Sequence, residues 1–442
     1  MNRYIMIAGI LIPLIGSLFL PLIGRYNEKF RNIMALVFTL AALVCAGGAL
    51  PGVLSREPYA IRFALPLGLS FGFYGDALAV FMALTAASVS SVIVIYSYGY
   101  IHEEDNQNEC YMMICLFVGA MMGLVYSTNL IAIYTFWEIS SLCCWRLIGF
   151  YRTELTVQRA DKAFIITVFG ALIMLIGFIG IYGKTGTFEL TAMKGIHIPA
   201  WTVVLILFGI LSKSATYPLH SWLPDAGVAP SPVTSLLHAA VLVKIGVYAY
   251  ARFFVLTFKI DQVFTTAVPA IAGISAIISA GVAFRENDIK RVVGYSTISQ
   301  LAFILMGLSS GTKIGFIGGL LYILAHSVAK GGLFLCCGIV EHNLHTKDIR
   351  VMGGLAKNMP FTALAFIICA FSVMGIPPLA GFFAKHLVID GIVETGNILI
   401  GAMFIASAVM TIMYLARLFV KVFLGPQTFP NVKEGTPIMV IS

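Results

Sequence analysis

The chain has 442 residues, of which 59% are hydrophobic and only 11% charged. A water-soluble domain of this length cannot hide so much apolar side chain, so lipid must act as solvent for part of its surface. The net charge of +8 is spread over short loops between apolar runs, a placement that speaks for orientation in a bilayer rather than for binding nucleic acid.

A membrane-crossing helix needs about 20 largely apolar residues. Thirteen runs suit this role, at 4–24, 32–54, 75–98, 110–127, 129–149, 163–183, 200–217, 230–255, 264–284, 291–308, 314–340, 361–387 and 397–424. They are long, continuous and rich in Leu, Ile, Ala and Gly, which predicts helices and not the short alternating strands of a barrel. The first run follows Met1-Asn-Arg3 with no small-residue cleavage site and polar domain behind it, so a retained first helix is expected. With the N-terminus outside, the inner loops hold fifteen Lys and Arg and the outer loops eight. That asymmetry predicts a multi-pass protein of the cell inner (cytoplasmic) membrane in this orientation. Beyond residue 424, Gly425, Pro426 and Pro430 mark a loop, and the apolar Pro437-Ile-Met-Val-Ile-Ser442 reads as the start of a fourteenth, truncated span.

Two runs contain helix breakers. One follows Lys213, in Ser212-Lys-Ser-Ala-Thr-Tyr-Pro218-Leu-His220-Ser-Trp-Leu-Pro224-Asp225, and the other is Gly375-Ile-Pro377-Pro378-Leu-Ala-Gly381-Phe-Phe-Ala-Lys385. Proline removes a backbone donor, and hydroxyls can satisfy the carbonyls so freed. Broken helices at matching places in two halves are the sequence mark of a transporter with inverted repeats and a midplane ion path. The fold class expected is therefore an all-α polytopic membrane protein of about 13–14 transmembrane helices, with helices 7 and 12 broken and two inverted five-helix repeats. Its organisation is N-terminal helices 1–3 over 1–109, a first repeat (helices 4–8) over 110–256, a second (helices 9–13) over 257–424, and a terminal loop over 425–442.

Charge in the middle of a span costs roughly 2.5 to 3.5 kcal/mol per residue, and five residues incur it: Glu138, Lys213, Lys244, Lys330 and Lys385. Glu138 lies too deep in its run to reach the interface, and Lys213 is its best partner, since a paired carboxylate and ammonium cost less than either alone. The pair is either a proton switch or a structural ion pair. Lys244 and His238 are six residues apart, about 120° around a helix, and face different neighbours; His238 is either a path residue or a packing histidine. His326 and Lys330, four apart, share a helix face and suit a relay. Lys385 ends the second broken helix and either closes the ion path or snorkels. His220 and Asp225, in the first broken segment, either link the path to the inner surface or cap locally.

The eight cysteines, at 45, 110, 115, 143, 144, 336, 337 and 369, form no CxxC pair and read as small packing residues. No HExxH, P-loop, GxSxG or strand-linked GxGxxG occurs. Neither a metal nor a cofactor is expected, and no catalytic chemistry.

Several ordered motifs carry a resemblance: Phe136-Trp-Glu138, Ser212-Lys213-Ser, Pro218-Leu-His-Ser-Trp-Leu-Pro-Asp225-Ala, Ala229-Pro-Ser-Pro-Val, Leu237-His-Ala-Ala, Asp288-Ile-Lys-Arg-Val-Val-Gly-Tyr-Ser-Thr-Ile-Ser-Gln300, His326-Ser-Val-Ala-Lys330 and Gly375-Ile-Pro-Pro-Leu-Ala-Gly-Phe-Phe-Ala-Lys385. From about residue 75 to 424 the chain resembles the antiporter-like subunits shared by respiratory complex I (NADH:quinone oxidoreductase), Mrp sodium/proton antiporters and membrane-bound energy-converting hydrogenases. The resemblance implies a fourteen-helix fold with a central hydrophilic axis. It matches Glu138 to the family's fifth-helix glutamate, Lys213 to its seventh-helix lysine, Lys244 to the eighth-helix lysine of some members, and Lys330 and Lys385 to eleventh- and twelfth-helix basic residues. Some members carry glutamate where Lys385 stands.

The function so implied is a subunit that translocates protons or sodium within a redox-driven pump or Mrp-type antiporter. Its partners would be the lipid bilayer, other antiporter-like and small membrane subunits, and the redox subunits of a hydrogenase or dehydrogenase arm; no nucleic acid is expected. Two other readings stay open: a stand-alone secondary transporter of a small solute, and a structural membrane subunit with inert charges.

Overall fold

The computed structural model describes residues 3–64 and 70–442, which fold into two compact units. The first comprises Met1–Val94, Glu103–Lys213 and Ala240–Ile260; the second comprises Ile95–His102, Ser214–Ala239 and Asp261–Ser442.

In the first unit the helices are α1 (Tyr4–Tyr26), α2 (Glu28–Leu54), most of α3 (Ala77–Tyr100), α4 (Gln107–Tyr126), α5 (Leu130–Ile148), α6 (Glu154–Thr185) and α7 (Ala200–Lys213). Side chains cap several of their first turns: Asn129 Oδ1 accepts from the amides of Ile131 and Ala132 at α5, and Thr153 Oγ1 accepts from Thr156 N at α6. α6 and α7 lie close because Gly170 and Gly209 face one another's helix; a Cβ at Gly170 would stand 2.0 Å from Ser212 Oγ. An antiparallel hairpin, β1 (Ala60–Ala64) and β2 (Ser70–Tyr74), pairs Ala60 with Tyr74 and Ala64 with Ser70. The segment lies between the apolar runs at 32–54 and 75–98. Its alternation is too short to stand out beside twenty-residue apolar runs.

In the second unit are α8 (Trp222–Asp225), α9 (Ser231–Ser235), α11 (Phe264–Arg285), α12 (Ile289–Ser309), α13 (Lys313–Leu344), α14 (Pro360–Met374), α15 (Ala380–Val393), α16 (Ile398–Phe423) and α17 (Pro437–Ile441). Asp288 caps α12, accepting from the amides of Lys290 and Arg291. α12 is buried along nearly its whole length, whereas α16 turns Ile398, Leu399, Ile405, Val409 and Ile412 outward, as a lipid-facing helix must. Gly375, at φ 83°, ends α14 in the left-handed region that glycine enters without strain.

Between α9 and α10 (Leu242–Tyr250) the chain forms a π turn, Leu236–Ala240, and a second π turn, Ala251–Val255, follows α10. The regular 120° offset expected between His238 and Lys244 therefore does not hold. The wider turn ends between them, and Val241 (φ −124°, ψ −67°) is outside helical geometry.

Among the described residues, eleven helical stretches are long and apolar enough to cross a membrane. The expected runs at 200–217 and 361–387 correspond instead to the shorter helices α7 and α14, of 14 and 15 residues. In each the chain leaves helical form just before a proline pair or cluster, and α15 resumes after the second. Residues 437–441, expected to begin a span, form the five-residue helix α17.

Candidate functional site

In the first unit, α5 presents Glu138 beside Trp137 and Ser141, and α7 brings Lys213 to the same stretch. Lys213 is fully buried and donates through Nζ to Ser141 Oγ at 2.8 Å and to the Trp137 carbonyl at 3.3 Å, with its charge 5.4 Å from the Trp137 ring centre. It thus reaches the helix that carries Glu138, but forms no direct ion pair with that carboxylate. Glu138 interacts with Tyr134 one turn earlier, while its Oε1 is buried with no hydrogen-bond partner. Lys244 is fully buried in α10.

In the second unit, Lys330 on α13 is likewise fully buried. Its Nζ donates to Ser296 Oγ on α12 at 2.5 Å and to the Val293 carbonyl at 3.3 Å. His326, on the same face of α13, packs its ring against Tyr322 at 6.2 Å between centres. Lys385, 4% exposed, lies well inside α15 rather than at its end. Its Nζ donates to the Val373 carbonyl at 2.7 Å and stands 4.7 Å from the Phe303 ring centre and 5.8 Å from that of Tyr322. The acceptor is free because α14 ends at Met374, with Gly375 in the left-handed region, so the Val373 carbonyl in its last turn has no helical donor.

A hydrogen-bonded cluster surrounds these two lysines. Ser296 Oγ meets Tyr414 OH at 2.7 Å, Gln300 Nε2 donates to Tyr414 OH and Thr411 Oγ1 at 3.2 Å each, and Tyr322 OH donates to Gln300 Oε1. All of these residues are buried. None of Tyr322, Thr411 or Tyr414 was singled out from sequence, because a hydroxyl in an apolar run reads as packing.

The remaining expected path residues lie in the second unit. Asp225, in α8, accepts from Arg291 Nη1 at 2.8 Å, and Arg291 Nε also donates to Glu286 at 2.9 Å. His220 lies in the turn before α8, with Nδ1 3.3 Å from the Pro218 carbonyl and its ring 5.4 Å from that of Tyr217. His238, in the π turn, lies with its ring centre 4.4 Å from that of Phe334, the planes tilted by 46°.

Sequence reasoning also missed two charged nodes. Glu341, at the far end of α13, receives Lys290 Nζ at 2.5 Å and Lys347 Nζ at 3.1 Å, and Ser231 and Tyr100 hydroxyls at 3.3 Å. Lys290 and Lys347 also donate to the carbonyls of Ala229 and Gly227, so this node clamps the segment after the first break. In the first unit Arg252 donates both Nη atoms to Asp76 at 2.6 and 2.8 Å and Nε to Tyr248 OH at 2.9 Å. Burial alone would raise the Asp76 carboxyl, but the Arg252 guanidinium outweighs it and holds the group below the ordinary carboxylate range. Asp76 and Glu341 stand at the ends of apolar runs, where a charge looks solvated. Among the described residues no group of His, Cys, Asp and Glu is placed to hold a metal ion.

Eleven described helices long and apolar enough to cross a membrane, packed around buried ammonium groups, define a polytopic membrane protein. The family model described as "NADH:quinone oxidoreductase/Mrp antiporter, TM" matches residues 127–411, and that described as "NADH-Ubiquinone oxidoreductase (complex I), chain 5 N-terminus" matches residues 64–112. The chain belongs to this NADH:quinone oxidoreductase/Mrp antiporter family.

It is 34% identical over 433 residues to the NAD(P)H-quinone oxidoreductase chain 5 of Synechocystis sp., covering 91% of this chain and 63% of the relative. To the chloroplastic NAD(P)H-quinone oxidoreductase subunit 5 of Chaetosphaeridium globosum it is 32% identical, covering 99% and 70%. To the Na(+)/H(+) antiporter subunit A1 of Staphylococcus haemolyticus it is 30% identical, covering 98% and 59%. The chain thus spans less than two thirds of the length of several of these relatives, including the first. Its fold is shared with a chain of the Mrp complex from Dietzia sp. DQ12-45-1b, at a TM-score of 0.89, 22% identity and coverage of 97% of this chain and 81% of that one. It is shared also with a chain of an archaeal membrane-bound sulfane sulfur reductase, at 0.88 and 23%, covering 99% and 92%.

Proposed function

We propose that this chain is an ion-translocating, antiporter-like subunit of a larger membrane complex, either a redox-driven pump or an Mrp-type antiporter, and that it moves protons or sodium through its buried charges. One observation carries the reading. Lys213, Lys330 and Lys385 are buried at membrane depth, and none has a carboxylate in direct contact to offset its cost. A purely structural cation would be paired, as Arg252 and Arg291 are. The unpaired positions are lysines, which can hold or release a proton, whereas arginine stays charged.

In this mechanism a change in the interaction of Glu138 with Lys213 alters the proton held by the lysine. Lys244, His238, His326 and Lys330 carry the charge onward to Lys385, and His220 and Asp225 serve the inner surface. Residues 110–256 and 257–424 form the two inverted repeats, with the N-terminus outside the cytoplasmic membrane. The chain supplies the conduit and the partner subunits the energy, through a hydrogenase or dehydrogenase arm or an Mrp assembly. The relatives' names, which include both quinone oxidoreductase and antiporter subunits, support both settings.

The test is driven ion transport by the complex that copurifies with the chain, reconstituted in vesicles. Lys213→Ala and Glu138→Gln are each expected to lower it about a hundredfold with subunit composition unchanged. Transport at wild-type rates in both variants would sink the proposal.

A further inference from the structure

The buried cluster between Lys330 and Lys385 looks at first like a conducting chain, since Lys330, Ser296, Tyr414, Gln300 and Tyr322 follow one another by hydrogen bonds, and Lys385 lies against the Tyr322 ring. A proton can hop along such a chain only where each member accepts on one side and donates on the other. Hydroxyls do both; a carboxamide does not, because its nitrogen only donates and its oxygen only accepts. Gln300 occupies the junction, with Nε2 turned to Tyr414 and Oε1 to Tyr322. Reversing the amide would exchange its two ends without changing this property. A proton arriving at Tyr414 therefore meets an N–H, and one leaving Tyr322 reaches a carbonyl that can pass a proton on only through the high-energy imidic acid form of the amide.

We infer that Gln300 is an insulating residue: it orients the hydroxyls of Tyr414 and Tyr322 while blocking direct proton transfer between the Lys330 and Lys385 ends of the cluster. Gln300 is fully buried and held by hydroxyls on two neighbouring helices, Thr411 and Tyr414 on α16 and Tyr322 on α13, with Ser299 Oγ a longer contact at 3.5 Å on its own helix. Its amide is thereby fixed in place, and no rotation opens the junction. Exchange between the two lysines then has to wait for another carrier to enter, which makes it conditional on the state of the protein. A pump needs that condition, because a permanent wire between two of its stations would let protons run back.

The inference rests on the proposed ion path, and the experiment separates the two. In Gln300→Glu the neutral carboxyl both donates and accepts, so the chain becomes continuous from Lys330 to Tyr322, whose ring Lys385 faces; Gln300→Leu keeps it broken. Passive proton entry is measured with a trapped pH dye in vesicles of the reconstituted complex under an imposed potassium diffusion potential. Gln300→Glu is expected to raise it at least about tenfold, Gln300→Leu to leave it near wild type, and Gln300→Glu with Tyr414→Phe to return it to wild type by removing one hydroxyl link. No leak in Gln300→Glu would overturn the inference. So would a leak that persists in the double variant, which would mark a water-filled packing defect. Lys330→Ala in the otherwise native complex tests the path itself: unchanged driven transport there would defeat the path reading whatever Gln300 does.

Discussion

Lys330 Nζ binds Ser296 Oγ at 2.5 Å, with the Val293 carbonyl one turn earlier on the same helix as its second acceptor. The first unit repeats the device with other residues: Lys213 binds Ser141 Oγ and, one turn earlier, the Trp137 carbonyl. In both, a serine hydroxyl and a backbone oxygen stand in for a carboxylate, so the ammonium is solvated without being neutralised.

This arrangement predicts how arginine would behave. Lys213→Arg and Lys330→Arg keep the charge but cannot release a proton, so each is expected to lose driven transport about as fully as the alanine variants. Transport assays beside subunit composition on native gels check this; an arginine variant that still transports would show that proton release at that position is dispensable.

The Glu341 node predicts a stability effect. Lys290 is buried and relies on Glu341 for its charge partner, so Glu341→Ala leaves an uncompensated ammonium and costs about 3 to 5 kcal/mol. Lys290→Met with Glu341→Leu, which removes both charges, is expected to recover much of the loss. Thermal unfolding of the purified complex in detergent measures both.

Acid should loosen the Asp76–Arg252 contact. The folded carboxyl lies below its ordinary range, so it contributes stability that is fully present above the unfolded value, 3.8, and is lost as pH falls through the folded one. Asp76→Asn is expected to cost about 1.5 to 3 kcal/mol near neutral pH and to flatten the acid limb of a stability–pH curve. An unchanged acid limb would assign that limb to other groups.

Close approach of α14 and α15 predicts the effect of a single methyl group. A Cβ at Gly381 would lie 1.8 Å from the Ser372 carbonyl oxygen, so Gly381→Ala must push the two helices apart, at about 1 to 3 kcal/mol. Since Lys385 is on α15 and its acceptor Val373 on α14, transport is expected to fall with stability. Retained transport despite lowered stability would uncouple helix spacing from the lysine's position.

The spans and the mid-membrane charges were legible in the sequence because apolar runs of about twenty residues are long signals and a charge inside one is conspicuous. What escaped was whatever depends on two distant segments meeting. Tyr322, Thr411 and Tyr414 converge on Gln300 from two helices, and no spacing within one helix announces that. The hairpin at 60–74 was lost beside longer runs, and the π turn at Leu236–Ala240 broke the 3.6-residue count that placed His238 against Lys244. Charge balance brought Lys213 and Glu138 together in the sequence, and the two do interact electrostatically; it could not show that the lysine's direct hydrogen bonds go to a hydroxyl and a carbonyl of the Glu138 helix.

The end of α14 at Gly375 leaves the Val373 carbonyl without a helical donor, and Lys385 supplies one. Two features that would each be a defect in hydrocarbon, an orphaned carbonyl and a solitary ammonium, thus cancel. Each makes the other tolerable, so neither can be repaired singly: restoring a regular helix evicts the cation from its acceptor, and deleting the cation strands the carbonyl. The break and the lysine therefore work as one unit, and altering either alone should cost more than altering both.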